Sequence, residues 1–226
     1  MNKQVLENPA KNQEKQFNYL VIITALMVTS YLTSNVMAVK LIEVFGVTWF
    51  DAGTIIFPLA YMLGDVLTEM WGFKTAKKVI YLTFVCNIIM TMTTWIGVLF
   101  SSPAYMTDVE SAYATIFTQT PRILVASLAG FLSGELTNAR AMVVVKKITK
   151  GKWLFIRTIL SSAAGYIFDT GLFVILAFAG TAPVRDLISM IVVQYFVKLI
   201  IEAVFATPLA YLMVGFLRKR VGDCHE

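Results

Sequence analysis

The stretch FPLAYMLGDVLTEMWG, residues 57–72, reads as apolar helix interrupted by two carboxylates, Asp65 and Glu69. An acid near the centre of a membrane helix costs about 2.5–3.5 kcal/mol on insertion scales. Such residues are retained where they face a bundle interior or a wet cavity. At helical spacing Phe57, Tyr61, Asp65 and Glu69 follow one another every fourth residue and share one face. Two aromatics followed by two acceptors suit a flat ligand rich in N–H donors, although plain packing of the aromatics is the blander reading.

The surrounding chain sets the solvent for this helix. Of 226 residues, 58% are apolar and 15% charged, and mean hydropathy is +0.72. A soluble domain carries about a quarter charged residues, so the expectation is an all-α membrane protein. Apolar runs of about 20 residues, enough to cross roughly 30 Å of hydrocarbon, predict six transmembrane helices near 17–39, 50–70, 79–100, 121–141, 156–179 and 187–216. Pro208 predicts a tilt or kink in the last. The organisation expected is a polar N-terminal tail at 1–16, one membrane domain at 17–217 and a basic tail at 218–226. The tail at 1–16 has no apolar core, so it does not read as a cleavable signal peptide.

Lys and Arg set the orientation. With the N-terminus inside, fifteen of the nineteen fall on the cytoplasmic face, among them Lys3, Lys15, Lys74, Lys77, Lys78, Lys146, Arg157 and Arg218. Lys40, Arg122 and Arg185 fall outside, and Lys198 lies within a helix. Both termini are expected in the cytoplasm. The net charge of +5 is then a topology signal, and no direct nucleic-acid partner is expected.

No motif calls for a cofactor or a metal. His225 is the one histidine, Cys86 and Cys224 do not suggest a disulfide, and no GxSxG, HExxH or P-loop pattern occurs. A membrane enzyme using buried acids therefore starts without a nucleophile or a metal constellation.

Six ionisable residues fall inside the expected spans: Asp65, Glu69, Glu135, Asp169, Lys198 and Glu202. Unpartnered, they would cost on the order of 15–20 kcal/mol. Five acids face one base, so some acids must be protonated, solvated, paired with loop arginines, or open to a cationic or donor-bearing ligand. Glu69, nearest the basic loop, could pair with Lys74 or snorkel. On the fourth helix Ala126, Gly130, Gly134 and Asn138 form a small-residue stripe for close packing, with Glu135 one step round. Ser161, Gly165 and Asp169 line a face of the fifth. Gln194, Lys198 and Glu202 share a face of the sixth, where an i, i+4 Lys198–Glu202 pair is the structural alternative to ligand binding. Ser34 and Asn35 are polar near the outer end of the first.

The external segment 101–120 predicts a short surface helix near 108–118, with Thr107 and Glu110 as a capping box. Pro121 should open the fourth helix. Gly64-Asp65 and Gly134-Glu135 repeat faintly, compatible with a three-plus-three inverted pseudo-repeat.

Several stretches together carry a resemblance: SN-x-x-A-x-K at 34–40, FPLAYMLGDVLTEMWG with KTAKK after it, RILVASLAGFLSGELTN at 122–138, TKGKWLFIRT at 149–158, GYIFDT at 165–170 and QYFVKLIIE at 194–202. In this order and spacing they resemble the queuosine precursor transporter family, also described as putative vitamin uptake transporters, over about residues 17–216. The resemblance implies a six-helix inner-membrane importer of 7-deazaguanine bases for salvage into tRNA modification. Its motif positions are Asn35, Asp65, Glu69, Glu135, Asn138, Asp169, Gln194 and Lys198. One departure is Tyr166, where the family pattern has Glu, Gln or Asn, and this bears on which base is taken.

A deazaguanine edge offers N1–H and an amine that a carboxylate accepts in bidentate fashion, and Phe57, Tyr61, Tyr166 or Phe168 could stack on its ring. The expected partners are thus a nucleobase-sized solute and the lipid bilayer, with a homo-oligomer compatible. Two of Asp65, Glu135 and Asp169 are expected to hold the base, with Lys198 and Glu202 setting the charge of the site or coupling it to a proton. The alternative is a substrate-binding subunit of a multi-subunit vitamin importer that docks on an energising partner. Its docking helix would favour alanines at four-residue spacing, where the first helix offers Ala25, Thr29 and Thr33.

Overall fold

A computed structural model describes residues 9–44, 47–118, 121–180 and 184–222. Lys3, Thr120, Cys224 and His225 lie outside the described residues. Seven α-helices run through the described chain: α1 (Pro9–Met37), α2 (Gly53–Val98), α3 (Thr107–Phe117), α4 (Pro121–Ile148), α5 (Leu154–Phe178), α6 (Val184–Ile201) and α7 (Thr207–Val221). Between α1 and α2, β1 (Leu41–Val44) pairs antiparallel with β2 (Val47–Asp51), a small hairpin added to an otherwise helical fold.

Among the described residues, four stretches are long and apolar enough to cross a membrane: Asn12–Met37, Gly53–Val98, Leu154–Ala177 and Leu187–Val221. Their outward faces carry large exposed hydrophobics such as Leu26, Ile89, Ile167 and Leu212, as expected where the solvent is lipid. The chain is a multi-pass helical membrane protein.

Helix boundaries depart from the expectation in three places. α1 begins at Pro9, so its polar start continues the helix where a tail was expected. The expected second and third helices are one 46-residue element, α2. At ~1.5 Å per residue it would run about 70 Å if straight, over twice a bilayer core. It is broken at Gly72, with φ 80° and ψ 166°, a conformation essentially reserved for glycine. The basic KTAKK stretch, expected as a loop, begins the second leg. The last span is also interrupted, by a π turn at Glu202–Ala206 before α7. The N–H of Thr207 reaches back to the carbonyl of Glu202, and Pro208 follows with no N–H to give. The kink expected from proline is thus taken up by one wider turn on its N-terminal side.

The small-residue stripes of α4 and α5 meet, and these two helices make the most extensive contact in the bundle. A Cβ on Gly165 would lie 2.9 Å from the carbonyl oxygen of Gly134, and one on Gly130 would lie 2.8 Å from that of Asp169. Only glycine permits backbones this close. The first leg of α2 is buried along its whole length from Ala60 to Met70. FPLAYMLGDVLTEMWG is therefore the central helix of the bundle. Gln16 Nε2 donates to the carbonyl of Val221 at 3.2 Å, so the start of α1 and the end of α7 lie at the same end.

α3 forms where expected but is not closed by a capping box. Its N-cap is Met106, without a side-chain bond. Thr107 is already helical, and Glu110 instead accepts from the N–H of Ser102 at 3.4 Å.

Candidate functional site

The carboxylates of α2 divide into two environments one turn apart. Glu69, 1% exposed, accepts from Arg157 Nη1 at 2.9 Å and Nη2 at 3.2 Å. Arg218 Nη2 adds a bond at 2.7 Å, and Lys146 Nζ lies at 3.3 Å. One acid thus ties the ends of α4, α5 and α7 to α2. This corrects the expected Lys74 partner, which is exposed. Glu69 belongs to an ion cluster at the basic end, apart from the other acids.

Asp65, also 1% exposed, is held by neutral groups. Asn138 Nδ2 donates to its Oδ1 at 2.9 Å, and Ser161 Oγ lies 3.5 Å away. Its Oδ2 has no protein partner. Glu135 is fully buried on α4 with neither oxygen hydrogen-bonded, beside Gly64, whose added Cβ would sit 2.7 Å from Oε2. Glu202, fully buried at the start of the π turn, accepts from the Tyr166 hydroxyl at 3.0 Å and keeps Oε1 unbonded.

Lys198 does not pair with Glu202. Its Nζ lies 2.6 Å from Asp169 Oδ2 and 3.2 Å from Thr170 Oγ1, over the Phe57 ring at 4.4 Å. α5 presents the lysine with a nearer acid. Gln194, one turn before Lys198, is buried.

The aromatic stripe lines the same region. Phe57 and Tyr61 have ring centroids 5.3 Å apart, and Tyr61 lies 4.5 Å from Tyr166. The Tyr61 hydroxyl is buried without a partner, against the backbone notch left by Gly134. Phe168 points outward, half exposed, and is removed from the stacking set. Asn35 lies apart as well, bonded to Asn87 and Ser127.

The central cluster therefore comprises Phe57, Tyr61, Asp65, Glu135, Asn138, Tyr166, Asp169, Lys198 and Glu202, from α2, α4, α5, α6 and the π turn. Asp169 has a lysine. Asp65, Glu135 and Glu202 have no cationic side chain bonded to them among the described residues. Buried polar atoms are nearly always paired, so this concentration of free acceptors has the chemistry of a site for a donor-bearing ligand. Arg157 escaped the sequence reading because a basic residue near a helix start looks like a topology signal. Tyr31 and Phe131, whose rings stack at 3.6 Å beside Phe57, gave no signal beyond apolar periodicity.

Fold and cluster together define a multi-pass helical membrane protein with a polar, carboxylate-rich interior. The chain belongs to the family described as "Putative vitamin uptake transporter", whose match spans residues 51–213. It is 28% identical over 179 residues to the "Probable queuosine precursor transporter" of Bacillus subtilis, covering 79% of this chain and 77% of that one. Identity to the "Queuosine precursor transporter" of Escherichia coli is 22% over 217 residues, 94% of this chain and 92% of that one. A Haemophilus influenzae protein of the former name is 23% identical over 177 residues, 77% and 71% of the two chains. No solved structure matches the fold.

Proposed function

We propose that the chain imports queuosine precursors, 7-deazaguanine bases such as the 7-cyano and 7-aminomethyl forms or queuine, for salvage into tRNA modification. The observation that carries this is the set of unfilled acceptors on Asp65, Glu135 and Glu202, next to the Tyr61 and Tyr166 rings. A deazaguanine supplies the complement, a flat ring with N1–H and an exocyclic amine along one edge. Glu135, with both oxygens free, accepts that edge in bidentate fashion. Asp65 and Glu202 take remaining donors, and the cationic arm of the 7-aminomethyl form finds a carboxylate without a competing lysine. Asp169 and Lys198 neutralise each other and set the charge of the site. The names of the three relatives agree with this substrate class.

The membrane arrangement that accompanies this reading is six crossings of the inner membrane. α1, the two legs of α2, α4, α5 and the α6–α7 pair each make one. The end bearing Lys146, Arg157 and Arg218 faces the cytoplasm by the positive-inside rule, which puts both termini there.

The deciding experiment uses cells unable to make the base. They express this chain, receive each base in turn, and are assayed for queuosine in tRNA. Restoration with at least one base is expected, and no restoration with any overturns the reading. Uptake by the purified chain in liposomes separates a self-sufficient carrier from a subunit that needs an energising partner.

A further inference from the structure

The turn between α4 and α5 is short, stiff and basic. Its backbone closes on itself: the N–H of Thr149 donates to the carbonyl of Val145 at 2.9 Å, that of Gly151 to Lys146 at 2.9 Å and that of Lys152 to Thr149 at 3.0 Å. The first turn of α5 is tied down as well, the N–H of Phe155 donating to the Tyr211 hydroxyl at 3.0 Å. Within this frame two residues other than glycine hold a left-handed backbone, Lys150 at φ 50° and Trp153 at φ 56° and ψ 61°. That conformation is strained for a residue with a Cβ. Trp153 gains no packing in return, because it is 68% exposed. A strained residue whose side chain leaves the fold points to work outside it.

The surroundings of Trp153 say what lies there. Lys147, Lys150 and Lys152 are exposed, and none of them meets an acid among the described residues. Lys146 and Arg157 of the same region are instead turned in to Glu69. No Asp or Glu occurs between Glu135 and Asp169, so nothing local offsets the three free lysines. Trp153 immediately precedes Leu154, where the apolar span Leu154–Ala177 begins. Ile148, Phe155 and Ile156 are exposed beside it and join the patch to the lipid-facing side of α5.

We infer that Ile148, Trp153 and Phe155 seat this turn in the headgroup layer of the bilayer, with Lys147, Lys150 and Lys152 set around the phosphates of anionic lipids. An indole suits that layer because its body is apolar and its N–H is polar. Lysines at the same level are drawn to anionic headgroups. Continuity with the lipid-facing side of α5 favours a lipid surface over a soluble protein as the partner. The inference is independent of the solute carried.

The test uses the full-length chain in phosphatidylcholine vesicles containing phosphatidylglycerol, with bromine on the acyl chains of one lipid or the other. The signal of Trp153 is the fluorescence of the wild type less that of Trp153→Phe. Both brominated lipids should quench it, with phosphatidylglycerol about threefold to fivefold more effective per molecule, the scale of one lysine at an anionic surface. The preference should fall at high salt. It should also fall in the double variant Lys150→Gln with Lys152→Gln, which leaves the cations on Glu69 in place. Trp153→Gly relieves the left-handed strain and should keep or raise the unfolding midpoint in detergent. A lowered midpoint would make the indole a packing residue and overturn the inference. Quenching by neither lipid overturns it in favour of a soluble protein partner, and equal quenching by both, at low salt, overturns the anionic-lipid site.

Discussion

Arg157 grips Glu69 with both terminal nitrogens, at 2.9 and 3.2 Å, and each side chain is 1% exposed. The pair joins α5 to the central helix one turn before the Gly72 break. Removing one member of such a pair leaves an uncompensated buried charge, which costs about 3–5 kcal/mol. Glu69→Gln should therefore destabilise the protein by that order, seen as a lower unfolding midpoint in detergent. Glu69→Gln combined with Arg157→Met should recover part of the loss. A single variant as stable as wild type would contradict a structural role for Glu69.

Lys198 and Asp169 form the corresponding pair inside the central cluster, at 2.6 Å. Lys198→Met leaves Asp169 without its cation and adds a fourth uncompensated acid to the cluster. Uptake should fall more than tenfold, the scale of a lost charge-assisted bond of about 1.5–3 kcal/mol. The double variant Asp169→Asn with Lys198→Met should restore membrane levels better than it restores uptake. Transport and protein level, measured together, separate the two effects.

Glu135→Gln keeps the shape of the side chain beside Gly64 but removes its charge and half its acceptor capacity. No protein hydrogen bond is lost, because Glu135 makes none. Protein levels should stay near wild type while uptake falls about 10- to 100-fold, again the scale of a charge-assisted bond. Undiminished uptake would move the substrate contact away from α4.

Gly134→Ala should be damaging, since its Cβ would strike the Tyr61 hydroxyl and come within 2.6 Å of Asp169 Cβ. Gly215→Ala meets nothing within 4 Å and should be neutral or slightly stabilising, as a helical Gly→Ala change gains about 0.5–1 kcal/mol. Membrane levels and uptake of the two variants, compared side by side, check the close packing of α4 on α5.

Much of this arrangement was legible because membrane helices obey short-range rules. The period that aligns Phe57, Tyr61, Asp65 and Glu69 is a property of one helix, and the structure keeps those four on the buried leg of α2. The glycine stripe of α4 was legible for the same reason, because close packing requires a missing side chain on one continuous face. Gly64 has its own packing reason, which is to make room for Glu135. The break at Gly72 was less visible. A glycine beside a basic stretch reads as a loop, yet here the backbone turns within one residue and resumes the helix.

The sequence alone determined that several acids are buried in an apolar bundle, since hydropathy and charge count depend only on composition along the chain. It also marked the aromatic stripe and the basic end. Only the tertiary structure decided how the charges are shared. Arg157 and Arg218 meet Glu69 across 88 and 149 residues of sequence, and Lys198 turns from Glu202 to Asp169. Such choices depend on which helices become neighbours. Helical period places side chains on a face; the packing of faces decides which acid receives the cation. Asp65, Glu135 and Glu202 are left open by that second step, and FPLAYMLGDVLTEMWG contributes one open acid and one closed one.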